Sequence, residues 1–140
     1  MSQQSKQAQA EFGTDVKYID NYIDSLSAFR DEGIMQIRED AIFSKVNDAS
    51  NAAMCISRLR GSALDHISVD SDEVEIGVDF ERITDMLKSI GGSSIVDITA
   101  PYAKDGKNNM HFEIAEESLT MNLPLIDTNH VPQIPQQDPI

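Results

Sequence analysis

Two amphipathic helices that match position by position across a shift of 64 residues constrain this chain more than any other feature of its sequence. In VKYIDNYIDSL, residues Val16, Ile19, Tyr22, Ile23 and Leu26 fall on one helix face, and Asp15 is placed to cap the N-terminus. In FERITDMLKSI, residues Phe80, Ile83, Met86, Leu87 and Ile90 repeat that spacing. Asp79 takes the cap position, Lys88 sits in the last turn, and Gly91-Gly92 ends the helix. The same shift pairs cap with cap and each apolar position with another. An internal duplication fits that pattern.

The flanks of the two helices agree. After the first come three β-rich runs, GIMQIRE, AIFSKVN and AAMCISRL; after the second come SSIVDITA, MHFEIAE and LTMNLPLI. Glu39-Asp40 makes a tight turn in the first set, and Lys104 to Asn109 a longer one in the second. A strand precedes each helix, AEFGTDV and EVEIGVD. The expected fold is α+β: a duplicated β-α-β-β-β with two helices on one face of a mostly antiparallel sheet. Each half alone would bury little, whereas two halves share one core. Gly61 to Asp72 bridges them, with a short helical turn at Ser62 to Asp65. The polar backs of the helices then lie together: Lys17, Asp20, Asn21 and Asp24 on one, Glu81, Arg82, Thr84, Asp85 and Lys88 on the other.

The compact part is expected over residues 9–126, between a polar tail at 1–8 and a proline-containing tail at 127–140. One cysteine, Cys55, rules out a disulfide-stapled scaffold. No apolar run approaches a membrane span, and the N-terminus lacks a signal-peptide core. The reading is a soluble, cytoplasmic protein with no membrane partner. With 24 acidic residues against 11 Lys+Arg, the net charge is −13, the reverse of a basic nucleic-acid footprint. Such an excess points to high solubility or a high-salt setting, as in a halophilic archaeon or an archaeal virus.

The ordered series of segments resembles the sliding-clamp family of proliferating cell nuclear antigen, especially its archaeal members. IREDAIFSKVNDASNAAMCISRL is similar to the family's hairpin and the loop that follows it, through Arg38, Asp40, Ala41, Ile42, Val46, Asn47, Asp48, Ser50, Asn51, Ala53 and Met54. IGVDFERITDMLKSI resembles its second inner helix, and NLPLID with the proline-containing segment resembles the last strand and connecting loop of a first clamp domain. The likeness covers residues 9–136, and implies an N-terminal clamp domain without a second domain.

The resemblance implies a DNA polymerase processivity factor that encircles duplex DNA by weak, non-specific contacts and docks the peptide motifs of polymerase and other replication proteins. The positions matching the family's DNA-facing cations are Lys17, Asn21, Arg82 and Lys88, and Asp20, Asp24, Glu81 and Asp85 share their faces. The other reading of these residues is a solvated helix face. The partner-peptide groove carries over to Asn47, Ala52, Val131, Ile134 and Pro135. A subunit-interface edge carries over to Leu119, Met121 and Leu123, whose partners would be copies of this chain or full-length clamp subunits; one-domain closure would take six copies. In a eukaryotic cell the family would place the chain in the nucleus. The alternative is a clamp-like adaptor or decoy that binds another clamp or its peptides without holding DNA.

No enzymatic constellation competes with these readings. Cys55 sits mid-strand with no base beside it in sequence, and His66, His111 and His130 lack motif spacing. Asp70 to Glu73 lacks the EF-hand pattern. No catalytic residue, metal or cofactor is expected.

Overall fold

A computed structural model describes residues 8–48, 50, 52–90, 94–104 and 106–130. Strand β1 (Ala10–Asp15) leads directly into helix α1 (Val16–Ser27), followed by β2 (Glu32–Arg38), β3 (Ala41–Asn47) and β4 (Met54–Arg60). A 3-10 turn at Gly61–Ala63 opens into β5 (Leu64–Val69). The second series is β6 (Glu73–Asp79), α2 (Phe80–Leu87), β7 (Ile95–Lys104), β8 (Lys107–Ile114) and β9 (Leu119–Pro124).

Both helices begin as their sequences dictate. The Asp15 carboxylate accepts from the Lys17 N–H, and the Asp79 carboxylate accepts from the Arg82 N–H at 3.0 Å, satisfying donors that an open first turn leaves without partners. The apolar stripe of α1 is buried along its whole length. Helix α2 is shorter than expected: it stops at Leu87, and Lys88 is its C-cap, after which 3-10-type bonds from Ser89 to Met86 and from Ile90 to Leu87 tighten the chain.

Three expectations are corrected. The bridge between the halves is mostly strand: β5 pairs with β1 along its length, and only Gly61–Ala63 is helical. The second hairpin is tight, with Lys104 paired to Lys107 and Gly106 at φ +76°. The strands also form two sheets rather than one, in the orders β5-β1-β7-β8-β9 and β4-β3-β2-β6, with every pairing antiparallel.

That division exchanges strands between the halves. β1 lies between β5 and β7, in the sheet built mainly from the second half. β6 lies beside β2, in the sheet built from the first. One core therefore collects Phe12, Ile19, Ile23 and Leu26 together with Phe80, Ile83, Ile98 and Phe112, each at most 1% exposed. The helices pack against each other over it. Beyond β9, Ile126 crosses to the other sheet, where its N–H donates to the Gly77 carbonyl at 2.9 Å.

Candidate nucleic-acid and partner interfaces

The polar side of the helix pair is the first candidate surface. Lys17, Asn21, Arg82 and Lys88 are all exposed on it. Asp24, Glu81 and Asp85 are exposed as well. The Arg82 guanidinium lies with Nε 3.9 Å from Asp79 Oδ2, and Lys17 Nζ stands 5.6 Å from the centre of the Tyr18 ring. Affinity for a phosphate backbone grows with each phosphate that a cation neutralises, so three cations among three exposed carboxylates give little net attraction. Two residues expected on this side are not fully there: Thr84 is buried and Asp20 is half-buried.

Polar bonds hold α1 to the sheet beneath it. The Tyr22 hydroxyl meets Ser44 Oγ at 2.6 Å inside the core, and the Ser57 hydroxyl donates to the Tyr22 carbonyl at 3.1 Å. Burial pushes the Tyr22 phenol well above its usual pKa, against a smaller opposing effect of the Ser44 bond. Cys55 Sγ approaches the Ser25 carbonyl at 3.7 Å, and its thiol pKa is likewise raised by burial, which argues against a reactive nucleophile.

The second candidate surface is the β3–β4 loop. Asn47 ends β3 half-buried and Ala52 is exposed. Asp48 shapes the turn between them: its Oδ1 accepts from the N–H of Ala52 at 2.9 Å and of Ala53 at 3.3 Å, while its own N–H donates to the Ala53 carbonyl at 3.0 Å. The other expected groove residues, Val131, Ile134 and Pro135, lie outside the described residues. An open cleft of about 530 Å³ lies elsewhere, where the chain leaves β9, lined by Gly77, Pro101, Lys107, Ile126 and Thr128 among others. Neither Asn47 nor Ala52 lines it.

The third surface is strand edges. β9 is the last strand of its sheet and pairs only with β8. Leu119, Met121 and Leu123 lie on it half-buried, packed against the core, so its backbone is what this edge offers outward. β4 is the corresponding edge of the other sheet, and carries Met54 and Ile56 at 38% and 55% exposure. Arg58 and Arg38 flank the Phe43 ring at 5.3 and 5.9 Å on that sheet's outer face. Sequence reasoning did not pick out this aromatic and cationic group, because only the β2–β3–β4 register brings its members together. No group of His, Cys, Asp and Glu among the described residues could hold a metal ion, and no helix among them is long and apolar enough to cross a membrane.

No family model matches the sequence. Curated proteins do. The DNA polymerase sliding clamps of Methanosarcina mazei and Methanosarcina acetivorans are each 32% identical over 117 residues, covering 81% of this chain. That of Methanosarcina barkeri is 41% identical over 63 residues, 45% of this chain. This chain is a homologue of the sliding clamps. It spans 45% of the length of the first two relatives, which fits a single clamp domain. Solved structures agree on the fold. The PCNA of A. fulgidus bound to the C-terminal region of FEN-1 superposes with a TM-score of 0.80 at 21% identity, covering 94% of this chain and 51% of that one. The PCNA of Thermococcus kodakaraensis gives 0.74 at 24% identity, covering 92% and 51%.

Proposed function

We propose that this chain works as one domain of a DNA sliding clamp, a polymerase processivity factor that helps to encircle duplex DNA and docks peptide segments of replication proteins. The observation that carries this reading is the placement of Lys17, Asn21, Arg82 and Lys88 on one helix pair, in a fold whose two sheets end in β4 and β9, each paired on one side only among the described residues. Edges of this kind accept a strand from a second molecule. The partners are further copies of this chain or full-length clamp subunits, with duplex DNA held by enclosure rather than by affinity. Peptides dock beside Asn47 and Ala52; Val131, Ile134 and Pro135, the other residues proposed for this groove, lie outside the described residues. The A. fulgidus relative, bound to the C-terminal region of FEN-1, supports a peptide partner. The setting is archaeal or viral cytoplasm, and the chain carries out no reaction of its own.

One observation favours a second reading. The cations of the helix face are matched by exposed carboxylates, and Asp79 lies beside Arg82. A clamp-like adaptor or decoy, binding another clamp without holding DNA, would need no better. Light scattering coupled to size exclusion, at low and at molar salt, separates the two. A species near six times 15.5 kDa that stays on closed circular DNA and leaves linearised DNA supports the clamp. A monomer at every salt and concentration, joining only a full-length clamp, supports the adaptor.

A further inference from the structure

We propose that Arg30 is a positioning residue for the docking loop: it holds from behind the backbone on which Asn47 and Ala52 are presented. The proposal rests on the peptide-docking reading above and adds the residue that shapes that surface. Arg30 follows the last turn of α1, and its own N–H donates to the Leu26 carbonyl at 3.0 Å, so its backbone is fixed to the helix end. Its side chain reaches the far end of β3. There Nε donates to the Asn47 carbonyl at 2.7 Å and a terminal guanidinium nitrogen reaches the Asp48 carbonyl at 3.4 Å.

These are consecutive carbonyls at the point where β3 gives way to the loop. A guanidinium presents its donors in a rigid fork and can serve both at once; an ammonium is a single compact charge. The loop is therefore fixed twice. Internally, the Asp48 carboxylate gathers the N–H groups of Ala52 and Ala53. Externally, Arg30 ties the same turn to the end of α1. Without the second tie the turn would open more often and lose its placement relative to the sheet, and a docking peptide would have to order it on binding.

The test compares wild type with Arg30→Ala, Arg30→Lys and Asp48→Asn, each as the full chain. Titration calorimetry uses a synthetic peptide of the A. fulgidus FEN-1 C-terminal region as the probe, and amide exchange is followed at Ala52 and Ala53. Arg30→Ala is expected to weaken peptide binding about tenfold, as loss of charge-assisted bonds would, and to speed loop exchange while β3 exchange stays unchanged. Arg30→Lys, which can serve one carbonyl, is expected to fall between, and it also covers the case in which the alanine variant does not fold. A purely structural role would lower the melting temperature and leave affinity, measured well below it, unchanged; that result overturns the proposal. Weaker binding with unaltered loop exchange also overturns it, because Arg30 would then touch the peptide directly. Peptide binding absent from wild type removes the docking reading and this inference together, whereas binding that all variants share removes this inference alone.

Discussion

Asp20 and Thr84 occupy the same position in the two halves of the fold, 64 residues apart, and each carries a buried side-chain oxygen with no hydrogen-bond partner among the described residues. Both sit on the helices that pack against one another. Burying a hydroxyl without a partner costs free energy that an apolar group of the same shape does not. Thr84→Val is therefore expected to raise stability by about 1 kcal/mol. Urea unfolding checks this directly, and a lower midpoint for the variant would contradict it.

The two cap aspartates should behave alike. Asp15→Ala and Asp79→Ala are each expected to cost about 1 kcal/mol, the usual price of losing an N-cap. Only the second should touch DNA behaviour, because Asp79 also lies beside the Arg82 guanidinium. Removing that carboxylate should lengthen residence on circular DNA at low salt and make it more salt-sensitive. Equal residence times for the two variants would show that Arg82 does not face phosphate.

Tyr22 sets an alkaline limit. Its phenol is held protonated in the folded chain to a pH above its unfolded value of about 10. Below that pH its contribution is fully present; as pH rises further the unfolded chain releases the proton first, and stability falls. Tyr22→Phe abolishes this slope. It also leaves Ser44 Oγ without its 2.6 Å partner, so the variant should be less stable at neutral pH by about 1–2 kcal/mol. Chemical denaturation at pH 7 and pH 10.5 should show the difference between the two proteins narrowing.

Gly77 has no room for a side chain. A Cβ there would run into the Ile126 carbonyl oxygen, which is backbone and cannot swing aside. Gly77→Ala should cost about 1–3 kcal/mol and detach the crossing of the chain at Ile126, read as faster amide exchange at that residue. Exchange at Ile126 equal to wild type would mean that the bridge between the sheets is not what holds this segment.

Much of this architecture was legible in the sequence. The helices were readable because apolar residues repeat with helical period and an aspartate precedes each one. β3 was readable to the residue, since Ala41–Asn47 alternates cleanly between half-buried and buried positions. β5 was not, because Leu64–Val69 is a largely exposed edge with Asp65, His66 and Ser68 in it and shows little apolar pattern. Partition into two sheets was also hidden, because a strand's own residues do not say which neighbour it will take. The candidate surfaces divide in the same way. Lys17, Asn21, Arg82 and Lys88 could be placed from helix phase alone, but Thr84, assigned to the polar side by that phase, is buried where the helices meet. Arg30 lies outside any periodic element, and no local signal links it to Asn47, 17 residues away.

The exchange of β1 and β6 between the halves has a cost in time. Ala10 pairs with Ala100, so β1 has to wait for β7, which the ribosome makes later, before it gains its second neighbour. At about 5–20 residues per second, that wait is roughly 4–20 seconds. Until then β1 has at most β5 beside it. Contacts this far apart in sequence also slow the folding of the released chain, because loop closure precedes any reward from pairing. The clamp domain cannot be assembled one half at a time: in the nascent chain the first half is an open sheet edge that only the second half can cover.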